Sequence, residues 1–274
     1  MKKSKKSKWH IHLLLILGAV WMVFPFIWMI LTALKTKRES ISMPPTFFPE
    51  EFQWQNFTEI FTVMPFGQFY LNTFISTAVI TLGQVFLSAM AAYAFARIDF
   101  PFKKVLFILM LSVLMVPGQI FLLPQYLIIQ DMNLLNSIPA LFIPGLFSAF
   151  GTFLLRQFFM TIPRELEEAA IMDGCSRIRI FFSIILPLSK TALISVSIFA
   201  LLYGWNSLLW PLIVNTSPEM MTLSAGLATL NGQYSTNYPL IMAGSFLAII
   251  PLILVFFIFQ KQFIEGIALS GSKS

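Results

Sequence analysis

Six apolar runs, near residues 11–34, 69–96, 104–129, 137–159, 189–214 and 238–260, decide what this chain can fold into. Each is long enough to cross a hydrocarbon core that needs about 20 helical residues. Lipid offers no water to bond a bare N–H or C=O, so segments of this kind must satisfy their own backbone as helices. Composition points the same way. Only 11% of the 274 residues are charged and 57% are hydrophobic, whereas a soluble domain carries about a quarter charged residues. The expected fold class is an all-α integral membrane protein with six transmembrane helices. With no linker and no low-complexity tail, residues 1–274 read as one domain.

Charge placement orients such a chain. The opening KKSKKSK imitates a secretory leader, but the apolar run behind it exceeds the roughly 7–15 residues of a leader core and lacks a small-x-small cleavage site. It reads as the first span. Six spans put both termini on one side. With that side cytoplasmic, 15 of the 18 Lys and Arg lie inside, leaving Lys35, Lys37 and Arg38 outside. The reverse orientation violates the positive-inside rule in every short loop. A net charge of +6 could suggest nucleic acid; its placement indicates topology instead, with the lipid bilayer as partner.

Catalytic and ion-relay chemistry finds no home here. The charged residues within the runs, Lys104, Arg156 and Lys190, lie within four residues of a run end, and none falls at the centre of an apolar core, where such residues mark proton and ion pathways. No Gly-x-x-x-x-Gly-Lys-Ser/Thr loop is present to bind ATP, and no His-Glu-x-x-His or Ser-His-Asp set. His10 and His12 lack the flanking ligands of a metal site and read as interfacial. Cys175, the lone cysteine, permits no internal disulfide. The chain is expected to be no enzyme, with no metal or cofactor of its own.

The polar groups left within the runs are neutral: Asn72, Gln84, Ser88, Gln119, Asn206 and Ser207, with the aromatics Tyr203, Trp205 and Trp210. Aromatic faces and amides suit a neutral sugar, making Asn72, Gln84, Gln119, Tyr203, Trp205 and Asn206 the candidate solute pathway. The competing reading is that amides and hydroxyls glue membrane helices together, for about 0.6–2 kcal/mol each.

One long polar interruption divides the runs: EAAIMDGCSRIRIFFSIILP, Glu168 to Pro187, within a loop over 160–188. Pro163 suits a first helical turn, and Glu165, Glu167 and Glu168 suit the positive end of a helix dipole. Leu166, Ala169 and Ala170 share one face. Gly174 can end that helix in the left-handed conformation, and Ser176 can cap the next. Ile178, Phe181, Phe182 and Ile185 form a second apolar stripe, closed by Pro187. On periodicity alone this is an interfacial helix pair.

The spacing Glu-Ala-Ala, three residues, Gly, nine residues, Ile, one residue, Leu-Pro resembles the signature loop of ABC importer permeases. Glu168, Ala169, Ala170, Gly174, Ile184, Leu186 and Pro187 meet it without a gap. The likeness extends to Leu34-Lys35, Asn56-Phe57, Asn72-Thr73, Tyr93 to Arg97, Pro117 to Pro124 and Tyr203 to Leu212, and is strongest to the six-span permease of maltose-type carbohydrate importers. The tail FIEGIALSGSKS is similar to the family's Gly-rich terminal segment, ending at Ser274 where a Gly often follows the Lys.

What the resemblance implies is a type I ABC importer permease fold in the cell membrane. The partners would be a second homologous permease, two ATP-binding cassette subunits carrying ATP and magnesium, and an extracytoplasmic solute-binding protein. Glu168, Ala169, Ala170, Asp173, Gly174, Ile184, Leu186 and Pro187 would form the loop that couples to the ATPase. Outside segment 215–238, ending in Asn231-Gly232-Gln233-Tyr234, would face the binding protein or serve as an ordinary connection. The expected activity is ATP-driven import of a neutral oligosaccharide or polyol by alternating access. A phosphorylated polyol such as a glycerol phosphate is the alternative solute; a stand-alone carrier or channel, or a membrane anchor, is the alternative class.

Overall fold

Three helices are long and apolar enough to cross a bilayer unaided: α1 (Trp9–Ala33), α4 (Phe66–Arg97) and the stretch Tyr238–Lys261 of α15 (Tyr238–Gly271). They are seen in a computed structural model that describes residues 9–230 and 236–271, with side chains described through residue 261. The basic leader, Asn231-Gly232-Gln233-Tyr234 and the side chains of the tail lie outside the described residues. Between the long helices run α2 (Lys37–Ser40), α3 (Asn56–Val63), α5 (Lys103–Ser112), α6 (Leu122–Asp131), α7 (Ile138–Phe142), α8 (Ala149–Thr161), α9 (Glu165–Met172), α10 (Arg177–Ile180), α11 (Leu186–Leu188), α12 (Lys190–Trp205), α13 (Leu209–Val214) and α14 (Leu223–Thr229). Among the described residues there is no strand.

The remaining apolar runs are not single straight helices. Run 104–129 bends by 102° between Met115 and Gly118, where Pro117 supplies no N–H and cannot continue the first helix. Run 137–159 bends by 45° between Gly145 and Ala149, just after Pro144. Run 189–214 splits into α12 and α13 around Asn206, Ser207 and Leu208. A bend of 81° separates Arg177–Leu188 from Lys190–Trp205, so the segment that ends the polar loop leaves the axis of α12. Apolar length registers each run, but a break by proline or glycine leaves hydropathy untouched.

The chain forms two compact units. The first comprises Met1–Phe66 and Leu227–Ile250. Within it the segment after α1 is stapled rather than loose. Asn56 Nδ2 donates to Ala33 O at 2.8 Å and Lys35 O at 3.0 Å, and Thr36 and Glu39 form a capping box on α2. Lys35, expected on the outer side of the membrane, is only 2% exposed. Its ammonium donates to Thr46 O and lies 5.0 Å from the Trp28 ring centroid.

The second unit comprises Gly67–Gly226 and Pro251–Ser274. Its organising surface is one side of α4, whose polar groups repair the break between α7 and α8. Gln84 Nε2 donates to Gly145 O at 2.8 Å and Ser88 Oγ to Ser148 O at 3.1 Å. Ser148 in turn caps α8 by accepting from Gly151 N. These carbonyls are freed by the helix break and would be costly bare in lipid. Below them Ala89, Ala92, Tyr93 and Ala96 of α4 pack with Leu155 and Phe159 of α8, Ala170 of α9, and Ile180, Phe181 and Ile185.

Candidate functional site

The Glu168–Pro187 segment folds as the sequence requires at its turn. Gly174 has φ +79, the left-handed region where a Cβ carries a penalty. Gly174 N donates to Ile171 O and Cys175 N to Ala170 O, both at 2.9 Å, a Schellman closure of α9. Ser176 then accepts from Arg179 N and caps α10. The helix begins at Glu165, two residues after Pro163.

The faces are not those that periodicity suggests. In α9 the buried residues are Glu167 and Ala170, while Leu166 and Ala169 are exposed. In the second stripe Ile180, Phe181 and Ile185 are buried, but Ile178 is 72% exposed and Phe182 50%. The cause is a π-helical turn over Phe181–Ile185, which closes i→i+5 bonds and shifts the apolar register off the 3.6-residue period. Phe181 is thereby laid against Tyr93 of α4, ring centroids 5.2 Å apart.

What remains outward is an elbow with an apolar edge. Met172 is 87% exposed, beside exposed Ile171 and Ile178, and a Cβ built on Gly174 meets nothing within 4 Å. Glu168, Ala169 and Asp173 are exposed, Ala170 is buried, Ile184 and Leu186 are half-buried, and Pro187 is exposed. A bare glycine flanked by solvent-facing methionine and isoleucine lets another chain approach the backbone closely.

The neutral polar residues are not brought together. Asn72 is 1% exposed; its Nδ2 donates to Glu219 O and Met221 O, both at 2.8 Å, and its Oδ1 accepts from Gln68. It staples the segment after α13 to α4, helped by Leu223 N donating to Thr73 Oγ1. Asn136, itself at φ +56, accepts from Thr216 N and Ser217 N from another side. Gln84 is committed to the helix break described above. Asn206 donates to Leu202 O of its own helix, and Gln119 and Tyr203 are exposed.

Trp205 alone of the six candidates lines a cavity in the second unit, which has a volume of about 680 Å3. Its walls come from Gly67–Leu82 of α4, Leu201 and Trp205 of α12, and Pro251–Val255 of α15. They are aliphatic except for the Phe74 ring, the Tyr70 and Trp205 rings, set edge-on at 6.3 Å, and Thr77 and Thr81. Both threonine hydroxyls are buried without a hydrogen-bond partner. No charged side chain is among the lining residues. Thr77 and Thr81 escaped sequence reasoning because a threonine in a span ordinarily bonds the preceding turn and carries no signal of its own.

The chain has clear relatives. Residues 84–268 match the family described as binding-protein-dependent transport system inner membrane component. The chain belongs to that family, the permease subunits of ABC importers. It is 35% identical over 264 residues to the sn-glycerol-3-phosphate transport system permease protein UgpE of Yersinia pestis bv. Antiqua (strain Antiqua), covering 93% of this chain and 94% of that protein. It is 36% identical over 255 residues to the arabinooligosaccharides transport system permease protein AraQ of Halalkalibacterium halodurans, covering 92% and 91%. Its fold is similar to that in a crystal structure of a bacterial ABC transporter involved in the import of the acidic polysaccharide alginate. There the TM-score is 0.79 at 20% identity, over 95% of this chain and 99% of that one.

Proposed function

We propose that this chain is a six-span permease subunit, with both termini cytoplasmic, that moves a neutral oligosaccharide or polyol inward by alternating access. A second permease, two ATP-binding cassette subunits holding ATP and magnesium, and an extracytoplasmic binding protein complete the assembly. The observation that carries the reading is the Glu168–Pro187 elbow: a left-handed glycine at the tip of an exposed apolar edge, on a buried base that ties it to α4, α8 and α12. Such an elbow can accept a push from a docked ATPase and pass it to packed helices as a rigid-body movement. Glu168, Ala169, Ala170, Asp173 and Gly174 form the dock, with Ile184, Leu186 and Pro187 leading to α12. Family membership favours this over a carrier working alone.

The neutral solute is supported by the cavity, where aromatic rings and two unpaired hydroxyls stand without a cation, and by the likeness to an arabinooligosaccharide permease. A second reading, a glycerol phosphate, rests on the likeness to UgpE; its negative charge would then need a counter-charge from the partner permease or a helix N-terminus. The test is uptake in proteoliposomes carrying the whole assembly and its binding protein. ATP-dependent uptake of neutral sugar supports the reading. Uptake of a phosphate ester with no neutral sugar transported overturns the solute class, and uptake without ATP or partners overturns the importer.

A further inference from the structure

Beneath the elbow lies a buried charge cluster that the coupling motif does not contain. Arg97, the last residue of α4, sets its Nε 2.7 Å from Oε1 of Glu167 in α9, with side-chain exposures of 4% and 10%. The same guanidinium donates through Nη2 to Phe159 O and Ile162 O, at the C-terminal end of α8. From the opposite direction Arg156 of α8 donates through Nε to Phe95 O of α4 at 3.1 Å, its guanidinium 4.3 Å from the Phe107 ring centroid. Two arginines thus clasp α4 and α8 to each other through carbonyls near their C-terminal ends, and Glu167 hangs the coupling helix on that clasp.

We propose that Arg97 and Glu167 are positioning residues that make the coupling helix, the second span and α8 a single body throughout the transport cycle. The inference rests on the coupling reading above and deepens it. A buried ion pair is a poor source of net stability, because desolvation cancels much of the attraction, and apolar groups of similar volume often serve as well. Opening it is another matter, since each charge would be left uncompensated in a dry site. The pair therefore contributes direction and permanence more than stability. Ala170, the other buried residue of α9, offers only a methyl group against the base; without the ion pair, α9 could slide or rock over the cluster while the ATPase pulls on it. With the pair closed, a displacement at the elbow reaches α4, whose other half lines the cavity.

Two measurements on the assembled transporter test this. The first is solute imported per ATP hydrolysed, for Glu167→Gln and Glu167→Asp beside the native complex. Glu167→Gln should lower that ratio on the order of fivefold, the lower end of ordinary coupling between sites, with subunit assembly and basal hydrolysis retained. Glu167→Asp, which keeps the charge, should recover much of the loss. A role in folding alone would change yield and leave the ratio as it was, and a native ratio in Glu167→Gln overturns the proposal.

The second needs no change at the pair. With Cys175→Ser as background, spin labels at Met90→Cys on α4 and Leu166→Cys on α9 report their separation in nucleotide-free and ATP-trapped complexes. An unchanged distance is expected. A shift between the two states shows that the clasp opens and overturns the proposal, even if Glu167→Gln fails to assemble. Gly174→Val measured alongside separates the two ideas. If it uncouples while Glu167→Gln does not, the clasp is wrong and the coupling loop stands; if neither uncouples, both fall.

Discussion

Gly174 is where the coupling reading can be broken most cleanly. Its φ of +79 puts any L-residue with a Cβ at a disadvantage of about 1–2 kcal/mol, a factor of roughly 5–30 in the population of the native turn. No packing term competes, because a Cβ there meets nothing within 4 Å of its own chain. Alanine therefore reports backbone cost with little bulk, and valine adds a branched side chain. Asparagine tolerates the left-handed region, so it adds bulk with little backbone cost. If the ATPase packs against bare backbone, all three should reduce co-purification of the ATPase and solute-stimulated ATP hydrolysis, with membrane insertion normal. Valine should be the most damaging, and asparagine should remain clearly impaired. Native behaviour of Gly174→Asn would show that only the shape of the turn matters and refute the close approach. Transport at the native rate by Gly174→Val would refute the coupling role itself.

Four further outcomes are expected. Cys175, the only thiol, should resist a membrane-impermeant maleimide in intact cells and react once the membrane is opened, unless a docked ATPase shields it; labelling in sealed right-side-out vesicles would reverse the topology. Asn72→Leu strands two carbonyls that a buried amide now satisfies, at about 1–3 kcal/mol each, so the melting temperature in detergent should fall while the solute competition profile holds. Gly226→Ala places a Cβ 2.2 Å from Cε2 of Phe69, a ring only 2% exposed; overpacking of this kind costs typically about 1–3 kcal/mol and should appear as lost thermal stability. Thr77→Val with Thr81→Val removes both unpaired hydroxyls from the cavity at nearly constant volume. If they bind solute, the concentration for half-maximal uptake should rise, and an unchanged value would move the pocket to the partner permease.

Residues whose role is local were legible in advance. The Gly174 turn and the Ser176 cap follow from one or two backbone angles and one hydroxyl, which nearest neighbours in sequence impose. The helical ends of α1 and α4 follow from where apolar sequence stops. Residues whose role depends on a distant partner were not legible. Glu167 read as a dipole charge and Arg97 only as part of a family-like stretch, yet they meet each other in a dry site 70 positions apart in the chain. Lys35 read only as a cation on the outer side, and its burial against Trp28 and Thr46 carried no sequence signal. Asn72 and Gln84 read either as candidates for a solute or as glue between helices; both have their amide donors on backbone carbonyls far along the chain.

The sequence alone determined that this chain is helical and made for lipid, because hydropathy and backbone self-satisfaction act along the chain and need no partner. Through seven residues at fixed spacing it also marked the loop that sets the chain among the ABC importer permeases. Tertiary structure decided where the runs bend, which face of the elbow is buried and which charges meet. Those outcomes depend on broken helices finding donors on α4 and on a π turn rotating Phe181 onto Tyr93. Such pairings are settled by packing in three dimensions, and no period of 3.6 residues encodes them.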